Sequence, residues 1–317
     1  MGFDDADRRK GALIWGALIT VYIVWGSTYL GIRIMIESMP PLISGAMRFL
    51  AAGLVLGLVL LLRRGPAAFR VTGKQVASAA LVGVLLLTGG NGMVAVAEQH
   101  ISSGLAALLV ASVPLWLVIF RIAARDRPRL LTLTGVLVGF AGVAALSLTG
   151  GTGDSSTTGI VTILLASVSW SLGSWLSGKL PMPENPFTAS TIEMLVGGVT
   201  MTAIGLAAGE RLIVEDVTTR SWLALAYMIL VGSLIGFTSY IWLLGNAPIS
   251  LVSTYAYVNP VVAVILGALI VNEQVTAQMA AAGLIIVIGV ALVVSTEGRR
   301  RPAPDRQEPA LARTGDT

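Results

Sequence analysis

Apolar residues in this chain gather into long runs rather than alternating with polar ones. Windows of mostly apolar residues fall at 11–32, 42–62, 75–97, 104–123, 131–149, 158–178, 188–208, 221–244, 249–271 and 277–296. A hydrocarbon layer of about 30 Å takes roughly 20 residues of helix to cross, so the pattern predicts an all-α, polytopic membrane protein with ten transmembrane helices. The joins are short, and the EQHISSG stretch between the third and fourth windows is the least sharply marked. The first window follows the polar segment 1–10 and is too long for a signal-peptide core, so it is expected to remain as a span. The polar, Pro-containing stretch 297–317 reads as a disordered cytoplasmic tail.

The ten windows divide into two similar sets of five, 11–150 and 157–296. At one constant displacement Trp25 meets Trp170, Pro41 meets Pro186, Leu50 meets Leu195 and Gly53 meets Gly198; one residue further on, Leu105 meets Leu251 and Pro114 meets Pro260. A unit with an odd number of crossings returns upside down when repeated. The sequence therefore predicts two inverted five-helix repeats, an arrangement that places a binding site near the bilayer midplane.

Composition narrows the class. With 55% hydrophobic and 12% charged residues and a mean hydropathy of +0.83, a 317-residue chain cannot hide its apolar surface in one water-soluble core. Cysteine is absent and histidine occurs once, as His100, which leaves no disulfide, no thiolate site and no cluster with metal-ligand spacing. No cofactor is expected. The net charge of +4 comes from basic residues that flank apolar spans, which argues against a nucleic-acid partner. With the N-terminus in the cytoplasm, all of the 21 Lys and Arg residues except Arg33, Arg48, Arg211 and Arg220 lie on cytoplasmic segments. The positive-inside rule then puts both termini there.

A charge inside a membrane helix costs at least about 2.5–3.5 kcal/mol on insertion scales, so intramembrane polar groups face protein or water. Tyr22, Trp25, Tyr29 and Arg33 follow one face of the first helix, and Ser167, Trp170, Ser171 and Ser174 one face of the sixth. Trp25 and Trp170 are repeat equivalents and could form opposite walls of a pocket; the plain alternative is interfacial aromatics and small-residue packing. Asn91 and Glu98 lie two turns apart near the end of the third helix, as in an outer vestibule, although Glu98 also reads as a solvated loop acid. Arg48 and Glu193 occupy equivalent places, near opposite membrane faces, as gating or coupling groups or as charges anchored at the surface. Glu98 and Glu193 are the candidate carriers of protons. Pro114 and Pro260 remove backbone donors at equivalent points and predict kinks suited to rocking. On the ninth helix Tyr257 shares a face with Ser253 and Thr254, whereas Tyr255 and Asn259 share another, and spacing does not choose between them. Ser233, Gly236, Phe237 and Tyr240 share a face of the eighth, and Gly135, Gly139 and Gly142 in the fifth read as packing sites.

The strings WGSTYLGIR from Trp25, PPLISGAMRFLAAG from Pro40, GNGMVAVAE from Gly90, IEML from Ile192 and AYVNPVVAVILG from Ala256 resemble the EamA-type drug/metabolite transporters, and most closely their YedA-like subgroup. The likeness covers nearly all of 11–296. It implies a multi-pass exporter of the bacterial inner membrane with a central cavity lined by both repeats. Carried onto this chain, the implied substrate-binding residues are Trp25, Asn91, Trp170, Tyr240, Tyr257 and Asn259. The family's acid after the ninth helix is present as Glu273, but the stretch after the fourth reads ARDRPR where Gly-Glu is usual, which breaks the symmetry of any role for Glu273. The expected function is export of small organic metabolites or drugs, amino acid-like or amphipathic aromatic, by alternating access in a monomer or homodimer. A membrane-embedded enzyme would need a nucleophile with its base or a metal cluster, and a non-transporting scaffold would be expected to carry a soluble domain; the sequence offers neither.

Overall fold

A computed structural model describes residues 2–125, 129–148 and 157–297. The tail after 297, part of ARDRPR and the link between the two halves lie outside the described residues. Among the described residues the regular structure is helical, without strands. The principal helices are α1 (Gly2–Met35), α2 (Pro41–Arg64), α3 (Gly73–Ala97), α4 (Ser103–Ala123), α5 (Leu130–Leu148), α6 (Thr157–Ser177), α7 (Pro186–Ala207), α8 (Thr219–Asn246), α9 (Tyr255–Ile270) and α10 (Ala277–Glu297). All but α5 and α9 include stretches long and apolar enough to cross a membrane, and α5 and α9 contribute the shorter apolar segments Leu130–Ala145 and Val258–Ile270.

The outer surface of the molecule is apolar, and polar groups are set within a mainly apolar interior. Large apolar side chains such as Leu58, Leu62, Leu137, Leu269 and Leu284 are exposed on the outside, whereas Ser44, Arg48, Glu98, Ser171, Glu193, Ser233 and Asn259 are buried. Lipid is as apolar as leucine, so outward Leu costs nothing there, and polar groups are driven to find partners inside. Where helices meet, small residues let them close. The glycines expected to pack in α5 do so: a Cβ on Gly135 would lie 2.9 Å from the carbonyl oxygen of Gly289, and one on Gly142 would lie 2.8 Å from the backbone nitrogen of Ile286, both in α10.

The helix contacts come in matched sets. α1 packs against α8 and α9, and α6 packs against α3 and α4; α2 meets α8 as α7 meets α3; and α2 with α7, α4 with α9 and α5 with α10 form direct pairs.

Three local features depart from plain α-helix. Val84–Gly92 in α3 and Met228–Phe237 in α8 are π-helical, with hydrogen bonds to the fifth residue back. They sit at corresponding points of the two halves, and glycines at 89, 90, 92, 232 and 236 punctuate them. The wider turn displaces carbonyls that need new partners, and Ser169 of α6 donates to the carbonyl of Leu85 at 2.8 Å. Third, α4 is interrupted at Ala111–Ser112 and restarts with Pro114 in its first turn, where a missing N–H does no harm. Pro260, in contrast, lies within the continuous helix α9; the irregularity on that side falls earlier, at Ser253–Thr254, after the single turn Ile249–Val252. The two prolines therefore stand in different settings, one in the first turn of a helix and one within a helix.

Candidate functional site

Between α1, α2, α3, α4, α6, α8 and α9 lies a cavity of about 50 Å³, well below the roughly 300–1,000 Å³ usual for small-molecule clefts, so it must widen to take a solute. One wall is aromatic. The Trp25 ring lies 5.3 Å from that of Trp170 and 5.3 Å from that of Tyr255, nearly perpendicular to both, and 4.7 Å from Tyr240. Tyr240 in turn lies 5.4 Å from Trp170 and 5.8 Å from Tyr255. Edge-to-face contacts of this kind fix ring orientation as well as burying area. Tyr240, behind the wall, shares a 2.7 Å hydrogen bond with the hydroxyl of Ser174.

The π-helical stretches seat these rings. A Cβ on Gly90 would come within 2.7 Å of Cε3 of Trp170, and one on Gly236 within 2.8 Å of Nε1 of Trp25. Only glycine allows each indole to lie this close to the neighbouring backbone. The indole Nε1 of Trp170 has no hydrogen-bond acceptor among the described residues.

The other wall is polar. Arg48, Asn91, Asn259, Ser167 and Thr28 line it. Arg48 donates from Nε to Ser233 Oγ at 2.7 Å and from Nη1 to Asn91 Oδ1 at 3.3 Å, and its Cζ stands 4.5 Å from the Phe49 ring centroid. With its amide nitrogen turned inward, Asn259 donates to the carbonyls of Tyr255 at 3.2 Å and Tyr22 at 3.1 Å, tying α9 to α1.

Of the residues singled out in the sequence, Trp25, Asn91, Trp170, Asn259 and Arg48 thus meet at one cavity, with Tyr240 packed behind it. The side chain of Tyr257 lies outside the described residues. Tyr255, left undecided by spacing, faces inward with Asn259. Glu98 is not a solvated loop acid: it is fully buried at the end of α3, both carboxylate oxygens lack partners among the described residues, and Arg33 donates to its backbone carbonyl. Glu193 is likewise fully buried and unpartnered, two turns into α7, and neither acid lines the cavity. Arg48 and Glu193 do not pair, as inversion leads one to expect. Pro114 borders a separate shallow groove with Leu117 and Arg121, and His100 is exposed. Glu273 caps a helix, though not the one that follows it: it accepts from Ser103 N and Oγ, both at 2.8 Å, and from Gly104 N at 3.0 Å, at the start of α4.

A polytopic helical bundle with a polar and aromatic hollow at its centre is an arrangement that membrane transporters use. Sequence comparison agrees, matching the EamA-like transporter family at residues 12–148 and again at 157–295. The chain belongs to that family. It is 41% identical over 281 residues to the inner membrane transporter YedA of Escherichia coli K12, covering 88% of this chain and 90% of that one. The transporter YvbV of Bacillus subtilis shares 25% identity over 90% of this chain and 92% of its own length. A WAT1-related chloroplastic protein of Arabidopsis thaliana shares 23% over 90% and 70%. A solved crystal structure of 21% identity superimposes with a TM-score of 0.65, covering 89% of this chain and 96% of its own, and so shares the fold.

Proposed function

We propose that this protein exports small organic solutes, amino acid-like or amphipathic aromatic, across the bacterial inner membrane by alternating access, with Trp25, Trp170, Tyr255, Asn91 and Asn259 forming the solute site. The observation that carries the reading is a cavity walled by repeat-equivalent tryptophans and enclosed by helices that pack in matched sets. Those sets fit a two-fold relation between two five-helix halves: exchanging α1 with α6, α2 with α7, α3 with α8, α4 with α9 and α5 with α10 maps the named contacts onto one another and the direct pairs onto themselves. The lengths of α5, 19 residues, and α9, 16 residues, correspond at 1.5 Å per residue to about 28 and 24 Å. That suffices for ten crossings with modest adjustment of the bilayer. Both termini then lie in the cytoplasm. Export is the direction implied by the drug/metabolite-transporter resemblance, and the buried acids Glu98 and Glu193 are the proposed proton-coupling groups.

Reconstituted protein tests this. Trp25→Ala and Trp170→Ala, each checked for folding by gel filtration, should lower saturable solute flux about tenfold, the effect of losing roughly 1.4 kcal/mol of aromatic contact. Flux unchanged in both variants removes the aromatic wall from the path, and flux indifferent to an imposed pH gradient removes the protons.

A further inference from the structure

The polar wall carries a charge that no carboxylate among the described residues neutralises. Arg48 is only 3% exposed, and among the described residues no carboxylate stands within ion-pair distance of it, although Glu98 and Glu193 are buried in the same bundle with unpartnered oxygens. Its two hydrogen bonds go to the neutral oxygens of Ser233 and Asn91. A guanidinium presents five N–H donors in a planar fork, so donors remain free, Nη2 among them. The backbone beside that nitrogen is held open by Gly232, where a Cβ would lie 3.2 Å away. A buried cation that borders a cavity and has unfilled donors favours an anionic partner.

We propose that the transported solute is an organic monoanion, a carboxylate on a flat apolar body, whose carboxylate pairs with Arg48 beside Asn91 while the body lies against Trp25, Trp170 and Tyr255. The proposal rests on reading this cavity as the solute site and adds what the solute must carry. Aromatic walls alone would also suit a cation, but Arg48 in the same enclosure repels one. A phosphate dianion would leave one negative charge uncompensated against a single guanidinium at low dielectric. One cation calls for one negative charge, and the planar fork matches the two oxygens of a carboxylate.

Phenylacetate, 2-phenylacetamide and 2-phenylethylamine share a body and differ in charge. Their binding is measured by equilibrium dialysis against the purified full-length protein, and their counterflow in proteoliposomes. Phenylacetate should bind at least about tenfold more tightly than the other two. Asn91→Asp places a resident carboxylate next to Nη1 and should erase that preference. Arg48→Lys, which keeps the charge without the fork, should reduce it and serves as the second variant if the first does not accumulate folded. Equal binding of the three, no binding of the acid, or a preference that survives Asn91→Asp overturns the proposal. Saturable counterflow of the amine or amide without acid preference sinks the anion assignment and leaves transport standing. Acid binding that Asn91→Asp abolishes, with no counterflow of any probe, does the reverse.

Discussion

At the scale of single residues, the aromatic wall depends on how Tyr240 is held. Its ring supports Trp25 and Trp170, and its hydroxyl is fixed by Ser174 at 2.7 Å. Hydrogen bonds between membrane helices average only about 0.6 kcal/mol, because the alternatives in lipid also find partners. Tyr240→Phe and Ser174→Ala should therefore each cost well under about 1.5 kcal/mol in unfolding measured in detergent. The double variant should show a coupling of about 0.6 kcal/mol. Additive effects would mean that the hydroxyls do not act on one another. Much of this wall was legible in the sequence, because one helical face carries Trp25 and Tyr29, another Ser167, Trp170 and Ser174, and a third Phe237 and Tyr240. What was not legible was rotation. Whether α9 turns Tyr255 or Tyr257 inward depends on its packing against α1 and α4, and no spacing rule within α9 contains that. The burial of Glu98 escaped for a related reason: a carboxylate at the end of an apolar run looks like a loop acid until α1 is seen lying over it.

At the scale of elements, the helix ends are tied together unequally. Glu273, beyond α9, accepts three hydrogen bonds from the start of α4, and Glu210, beyond α7, accepts from the backbone nitrogens of Leu42 at 3.2 Å and Ile43 at 2.8 Å at the start of α2. Each carboxylate meets free N–H groups at a helix N-terminus, where partial positive charge favours it. Both ties lie at the end where Arg33 of α1 reaches Glu98 of α3. At the other end the ties are neutral: Thr188 donates to the carbonyl of Ala68 at 2.9 Å and Gln75 to that of Met182 at 3.3 Å, while the start of α7 is capped by its own Asn185, which accepts from Phe187 at 3.0 Å. In the proposed cycle the end held by the two carboxylates is the one that must part for solute to leave. Because the chain has no cysteine, Thr28→Cys would place a unique thiol on the cavity wall. Adding Glu210→Ala and Glu273→Ala should speed its reaction with a membrane-impermeant maleimide several-fold from the outer side, since each tie is worth roughly 0.5–2 kcal/mol. Unchanged labelling would reduce both acids to simple caps. The π-helical stretches beneath the tryptophans could not be read from periodicity, because a one-residue shift in hydrogen bonding leaves the apolar pattern intact. Their glycines were visible, but glycine alone does not distinguish a π-turn from close packing.

At the scale of the whole molecule, the proposed inversion does what neither half could do alone. If two similar units face opposite ways, each can adopt the other's conformation, and the exchange moves the closed constriction from one membrane face to the other while the solute site stays between them. This argument fails if the halves are parallel. Odd numbers of crossings forbid that in sequence, but α5 and α9 are the shortest of the apolar helices, and loss of either crossing would reorient everything after it. The exposed residues Ala67, between α2 and α3, and Glu215, between α7 and α8, occupy corresponding links of the two halves. Inversion puts them on opposite faces. The basic residues Arg63, Arg64, Arg70 and Lys74 around Ala67 assign that link to the cytoplasm in the proposed topology, and Glu210, Glu215 and Asp216 assign the other to the outside. A single cysteine at Glu215 should therefore react with an impermeant maleimide in intact spheroplasts, and one at Ala67 only after the membrane is permeabilised. Gly178→Cys, in the link between α6 and α7, should behave like Ala67→Cys, which fixes the second half independently of α5 and α9. If the thiols at 67 and 215 were reached from the same side, the halves would be parallel, and a cavity that opens alternately to each face would lose its structural basis.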